Sequence, residues 1–205
     1  MDSSHDPAPD HYRTLAGDSA GRIRVRRSRF LALAFPASSE EEFSARLARI
    51  GSEHFDATHH CWAFRPFASI PARSSDDGEP AGTAGRPILQ AIESAGLHEV
   101  GIVVVRWFGG VRLGTGGLAR AYRDAALAAL AGAVPEERWL YVGFRVVTPH
   151  RDANLIHRMI RPPDVVLAGS EFGESARFEL RVRRSLADEI ARELAARGVE
   201  VSRID

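Results

Sequence analysis

Val100–Gly117 reads VGIVVVRWFGGVRLGTGG, and the fold turns on its first nine residues. Val100–Phe108 is a nearly continuous apolar run, which predicts a strand covered on both faces. After the glycine-punctuated link that follows, a helix is predicted from about Gly116 to Ala131, stopped by Gly132. Upstream, Arg22–Arg26 and Arg29–Phe35 flank a short basic break and read as a hairpin. Ser39-Glu40-Glu41-Glu42 fits a capping box, with Phe43, Leu47 and Ile50 at helical spacing and Gly51 as the expected stop. His59–Phe64 is a predicted strand ended by Pro66, and Arg65–Ala81 a long polar loop. Pro87 lies in a first helical turn, with Ile88, Leu89, Ile92 and Ala95 on one face and Gly96 at the end.

Past Pro135 the pattern changes. Trp139–Val147, Asp164–Ala168, Ala176–Val182 and Val199–Ile204 read as strands, with helices over Asp152–Ile160 and Ser185–Arg197. The order βαββαβ is that of a ferredoxin-like split unit. Glycine, proline and charge cluster at Gly132–Arg138, which marks a boundary. The expected architecture is α+β, with a flexible tail over residues 1–19, a first domain over 20–134 and a ferredoxin-like domain over 135–205.

At 205 residues the chain has room for two small cores, and 44% hydrophobic content is ordinary for a globular protein. No apolar run approaches the roughly 18 residues that a membrane span needs. Met1–Ala20 lacks the basic start and apolar stretch of a secretory signal, and the single cysteine, Cys61, excludes an internal disulfide framework. A cytoplasmic protein without membrane or DNA partners is expected. Formal charge is zero, so attraction to a polyanion must come from a local patch. All 27 basic residues are arginine, so phosphate contacts would be made by planar forks. Abundant alanine and arginine without lysine fits a GC-rich bacterial coding sequence.

Two motifs echo each other. Gly82-Thr83-Ala84-Gly85-Arg86 opens one predicted helix, and Gly114-Thr115-Gly116-Gly117, followed by Leu118-Ala119-Arg120, opens the other. Unpaired amides and the positive end of the helix dipole favour anions at such sites. Arg106 and Arg112 border the second motif, and Arg123 lies one turn along its helix. The plainer alternative is that threonine caps and glycine permits tight turns. Gly114-x-Gly116-x-x-Ala119 matches the dinucleotide fingerprint only weakly, because five residues separate strand from motif and Glu136 and Glu137 fall in a linker. A Walker loop is excluded for want of lysine.

Asp76, Asp77 and Glu79 place three carboxylates within four residues. They could hold Mg²⁺ or Ca²⁺ or supply acid–base chemistry, or they could form a solvated acidic turn, or pair with Arg106, Arg112 or Arg120 and hold the loop down. Pairing is preferred, because calcium loops need more ligands at alternating positions. His59, His60 and Cys61, with His54 nearby, lack the spacing of a zinc site, and no metal is assigned.

Taken in order, Asp56-Ala57-Thr58-His59-His60-Cys61-Trp62-Ala63-Phe64, then Ser75-Asp76-Asp77-Gly78-Glu79-Pro80-Ala81-Gly82-Thr83-Ala84-Gly85, then Val103 through Tyr122, resemble the IMPACT/YigZ family over roughly residues 20–130. His60 departs from the family's pattern, which has asparagine there. The resemblance implies a first domain like domain 2 of ribosomal protein S-five and a second like domain V of elongation factor G, both pointing toward RNA or the ribosome. Eukaryotic relatives regulate translation by competing for the activator of an initiation-factor kinase, a pathway that bacteria lack.

The expectation is a non-enzymatic, translation-associated binding protein for RNA, the ribosome or another phosphate-bearing ligand. Its anion site would comprise Gly82, Thr83, Gly85, Arg86, Arg106, Gly109, Gly110, Arg112, Gly114, Thr115, Gly116, Gly117 and Arg120. Asp56, His59, Cys61, Asp76, Asp77 and Glu79 would support it. The alternatives are an adaptor for a translation-regulatory protein and an enzyme using Asp76, Asp77 or Glu79 with Mg²⁺ on a small phosphorylated substrate.

Overall fold

A computed structural model describes residues 10–67 and 70–204. It divides into two units, one spanning Arg13–Glu137 and the other comprising Arg138–Asp205 with the start of the chain up to Tyr12. The elements begin β1 (His11–Leu15), β2 (Ser19–Val25), β3 (Ser28–Pro36), α1 (Glu40–Glu53), β4 (His59–Arg65), β5 (Arg73–Ser75), α2 (Gly85–Ser94), β6 (Val100–Trp107) and α3 (Thr115–Ala131).

In the first unit β6 lies at the centre of an antiparallel sheet ordered β2-β3-β6-β4-β5. Successive residues point to opposite faces, and each face has its own core. Phe30, Ala32, Ala34, Cys61, Ala63, Ile102 and Val104 pack with Ile88 and Ile92 of α2 and Leu118 and Tyr122 of α3. Leu31, Phe35, Phe64, Val103 and Val105 pack with Phe43 and Ile50 of α1. That double covering is why β6 has no polar alternation; Trp107, at its end, is the first residue to be partly exposed. Each wholly buried large side chain, Phe30 or Ile102 for example, contributes about 1.5–3 kcal/mol of transfer energy.

Local chemistry modified several expectations. Ser39 caps α1 by accepting from the Glu42 amide, but Glu42 reaches back to Ser38, whose amide and hydroxyl both donate to it. The helix runs past Gly51, because its buried face includes Ile50, whose carbonyl still receives the His54 amide. The predicted loop contains β5, which pairs with Trp62, Ala63 and Phe64 and is too short and polar to show a period. Of the expected tail, residues 1–9 lie outside the described residues. Residues 10–19 contradict it. Leu15 joins the core of the first unit, Thr14 is buried, and the Ala16 amide donates to the Val134 carbonyl.

The chain passes into the second unit within β7 (Pro135–Trp139) and continues with β8 (Tyr141–Thr148), α4 (Ala153–Met159), β9 (Val165–Phe172), β10 (Ala176–Arg183), α5 (Ala187–Ala196) and β11 (Glu200–Ile204). The single strand expected over Trp139–Val147 is two. At Leu140 the amide donates to Asp10 and the carbonyl accepts from Arg184, and β7 pairs with β1 instead. The remaining sheet, ordered β11-β8-β10-β9 and antiparallel throughout, carries the ferredoxin-like topology. Phe144, Val146, Phe178 and Leu180 form its core with Ile156 of α4 and Leu194 of α5, while Arg177, Glu179 and Arg181 face solvent.

Asp10 belongs to this second unit. Its carboxylate accepts from Arg183 at 3.0 and 3.1 Å and from the Ser185 hydroxyl, and Arg183 also donates to Asp164 at 2.7 Å. The hydrogen bond from Arg183, against the opposing effect of burial, holds the Asp10 carboxyl down to about 2. A carboxyl lowered by folding contributes stability above its unfolded value of about 3.9 and loses it as the pH falls toward the folded value. Denaturation followed by circular dichroism should therefore show stability declining between about pH 4 and pH 2. Asp10→Asn should be less stable at neutral pH and lack that share of the acid dependence.

Candidate functional site

The acidic turn after β5 is built by two left-handed residues, Asp77 (φ 42°) and Gly78 (φ 83°), which turn the chain so that its three carboxylates point to different partners. Asp76 lies at the start of α2 and accepts from the amides of Gly82 (2.8 Å), Ala84 (2.9 Å) and Gly85 (2.8 Å). Burial works against its ionisation, but these amides together outweigh it and hold the carboxyl below its ordinary value. Asp77 accepts from the His60 amide at 2.6 Å, and its carbonyl meets His59 Nδ1 at 2.7 Å.

Glu79 goes inward. Its side chain is 5% exposed, and Oε1 accepts from Arg106 and from the Tyr122 hydroxyl (2.7 Å), with His59 Nε2 at 3.9 Å. Arg106 is equally buried, donates also to the Ser28 hydroxyl at 3.2 Å, and lies 5.4 Å from the ring centres of both Phe30 and Phe108. Two buried charges are tolerable here because each is the other's partner and the remaining groups add hydrogen bonds. Burial, chiefly, pushes the Tyr122 hydroxyl up, and it pushes the Cys61 thiol to about 12. Cys61 is therefore a protonated core residue that donates to the Asp76 carbonyl, not a nucleophile.

These contacts revise the sequence-derived anion site. At the first G-T-x-G motif the amides of Gly82 and Gly85 are taken by Asp76, and both the amide and hydroxyl of Thr83 donate to the Pro80 carbonyl. That helix end is closed by the protein's own acid. Arg106 is not a free cation, since Glu79 neutralises it in the interior. Gly109 donates to Ser28 at 3.3 Å, and a Cβ there would lie 2.0 Å from the Arg27 backbone, so this glycine permits close chain approach. Asp56 accepts from Trp107 Nε1 at 3.0 Å and thereby orients the indole.

The second motif differs. Gly114 (φ 71°) turns into α3, its carbonyl accepts from Leu118, and no side chain caps the helix. Thr115 and Gly116 are exposed, as are Gly110, Arg86, Arg112, Arg120 and Arg123. A concave pocket of about 580 Å³ opens beside this end, lined by Glu79, Arg106, Arg112, Phe108, Leu113 and Thr115 among others. Sequence reasoning did not single out Tyr122, Thr58 or Ser28. Tyr122 carried a signal, for a hydroxyl on the apolar face of α3 must find a buried partner. Thr58 accepts from the Phe108 amide at 3.0 Å.

Among the described residues no group of three or more histidine, cysteine or acidic side chains converges on one point. Strand alternation sends Cys61 into the core beside α2 and α3, whereas His60 Nε2 lies 3.1 Å from the His54 carbonyl.

The architecture defines a two-unit α+β protein with an acidic turn and two glycine-rich helix starts in its first unit. The family model described as "Impact N-terminal domain" matches residues 26–130. A Thermus thermophilus protein, "IMPACT family member in pol 5'region", is 46% identical over 160 residues, covering 77% of this chain and 86% of that one. IMPACT family member YigZ of Escherichia coli (strain K12) is 44% identical over 101 residues, covering 48% and 50%. The crystal structure of a hypothetical protein aligns over 97% of this chain and 99% of its own at 27% identity, with a TM-score of 0.70. The chain belongs to the IMPACT family.

Removing either member of the interior ion pair leaves the other charge stranded. Arg106→Ala should lower unfolding free energy by roughly 3–5 kcal/mol, read from urea denaturation. Asp76→Ala, which strips three amides of their acceptor, should cost about 2–3 kcal/mol. A change below about 0.5 kcal/mol in either would contradict the roles assigned to them.

Proposed function

We propose that this protein is a non-enzymatic, translation-associated binding protein that receives a phosphate-bearing group, carried by RNA or the ribosome, at the start of α3. The observation that carries the reading is the contrast between the twin helix ends. Asp76 fills one, while the other has no side-chain cap, adjoins the pocket and has Arg112 beside it. The translational setting comes from the family resemblance. The reading of Asp76, Asp77 and Glu79 as metal-dependent catalysts is disfavoured, because each carboxylate is engaged in holding the turn.

Gly116 offers a test with opposite signs. A Cβ there meets nothing within 4 Å. An aspartate in this first turn should stabilise the helix by about 0.3–1 kcal/mol while repelling an anion. Gly116→Asp should therefore keep or raise the melting temperature and reduce co-sedimentation with ribosomes. Arg112→Gln should lower the slope of log affinity against log salt by roughly 0.7–0.9. If Gly116→Asp and Arg112→Gln leave ribosome association and its salt dependence unchanged, the pocket is not the phosphate site. A partner retained after nuclease treatment would favour the adaptor reading.

A further inference from the structure

The opposite face of the same sheet carries a feature that the pocket does not use. Arg22, Arg24, Arg26, Arg27 and Arg29 fall within eight residues of the β2–β3 hairpin, and all five are exposed. No carboxylate pairs with any of them among the described residues, although the whole chain is formally neutral. Their placement is unfavourable for the isolated fold. Arg24 stands directly across from Arg29, a like-charge cross-strand pair that disfavours folding. Arg26 occupies the tight turn at φ 52°, a left-handed conformation that favours glycine or asparagine over arginine.

The hairpin is also held in place. Ile23 and Val25 pack on the core beneath α2 and α3, so strand alternation turns Arg22 and Arg24 to the other face. Ser28 receives hydrogen bonds from Arg106 and from Gly109, and Gly109 backs directly against Arg27. On the outward face the Arg29 guanidinium lies 4.9 Å from the Trp107 ring centre, and Trp107 is fixed by Asp56. Arg22, Arg24, Arg29, Leu31 and Trp107 line a shallow hollow of about 380 Å³.

We infer that this hairpin face binds single-stranded RNA, with Arg22 and Arg24 on successive phosphates and the Arg29–Trp107 stack as a platform for a base. The charge identifies a polyanion, and arginine forks suit phosphate. Residues two apart on a strand lie about 7 Å apart, a repeat that an extended nucleotide chain can follow. A planar cation on an indole is a surface on which bases stack. The choice of RNA over DNA rests on the translational reading above; the polyanion surface itself does not.

The test uses the full chain and a labelled single-stranded RNA of mixed sequence, followed by fluorescence anisotropy between roughly 50 and 200 mM salt. Arg22→Gln/Arg24→Gln should weaken binding about tenfold or more and reduce the magnitude of the salt slope by about 1.4, which is two contacts at about 0.7 each. The same double variant should melt no lower than the parent, because it relieves the Arg24–Arg29 repulsion. A purely structural role would lower the melting temperature and leave the slope alone. Gly116→Asp serves as the control for the α3 pocket. If that variant alone reduces RNA binding, the pocket reading stands and the hairpin inference falls. If only the hairpin variant does, the hairpin stands by itself. Absence of salt-dependent RNA binding, preference for DNA of the same sequence, or tighter binding to phosphatidylserine–phosphatidylcholine vesicles would each overturn the assignment to RNA.

Discussion

A carboxylate drawn into a protein core must bring its compensation with it, and the Glu79–Arg106 pair does so from chain segments far apart in sequence. Glu79 comes from the acidic turn, Arg106 from the last residues of the central strand, and Tyr122 from the second turn of α3. Ser28, from the β2–β3 hairpin, gives the arginine a second acceptor, while its Nε is buried without a hydrogen-bond partner. A single charged cluster therefore fixes the turn, the hairpin and the helix to the sheet. In a low-dielectric interior such an arrangement tolerates little displacement, because separating the partners exposes an unbalanced charge. The pocket at α3 and the basic hairpin both take their positions from it.

The same turn explains why two similar motifs end differently. Asp76 is six residues before Gly82 and reaches back over a short loop to its amides. Gly114 has no acid at a comparable distance upstream, since the segment from Val100 to Leu113 contains none. One helix dipole is neutralised within the fold, while the other is left to solvent or to a ligand. Charge is distributed likewise: Arg106 is consumed internally, while Arg112, Arg120 and the hairpin arginines remain at the surface.

Much of this was legible from residue order. The buried central strand, the hairpin and the βαββαβ succession follow from apolar periodicity, and the Ser39 cap was visible in the side chains themselves. What escaped depends on contacts across the chain. β1 is a strand because Leu15 finds the first core, which no local pattern near residue 15 announces. β5 exists through pairing with β4. For the candidate site, the sequence identified the right segment but not the occupants of each amide. A glycine-rich helix start looks the same whether or not an acid elsewhere has already filled it. The preference for carboxylates that pair and hold the loop agrees with where Glu79 lies, and Arg106 moved accordingly from ligand candidate to interior partner.

Strand β6 ends with Arg106 directed toward one side of the sheet and Trp107 toward the other. A deletion or duplication of one residue anywhere in Val100–Val105 would shift the frame by one and exchange their directions. Indole would then crowd the carboxylate while guanidinium entered the aromatic layer under α1. Both faces would be damaged by one genetic event, so the length of this strand is constrained twice over.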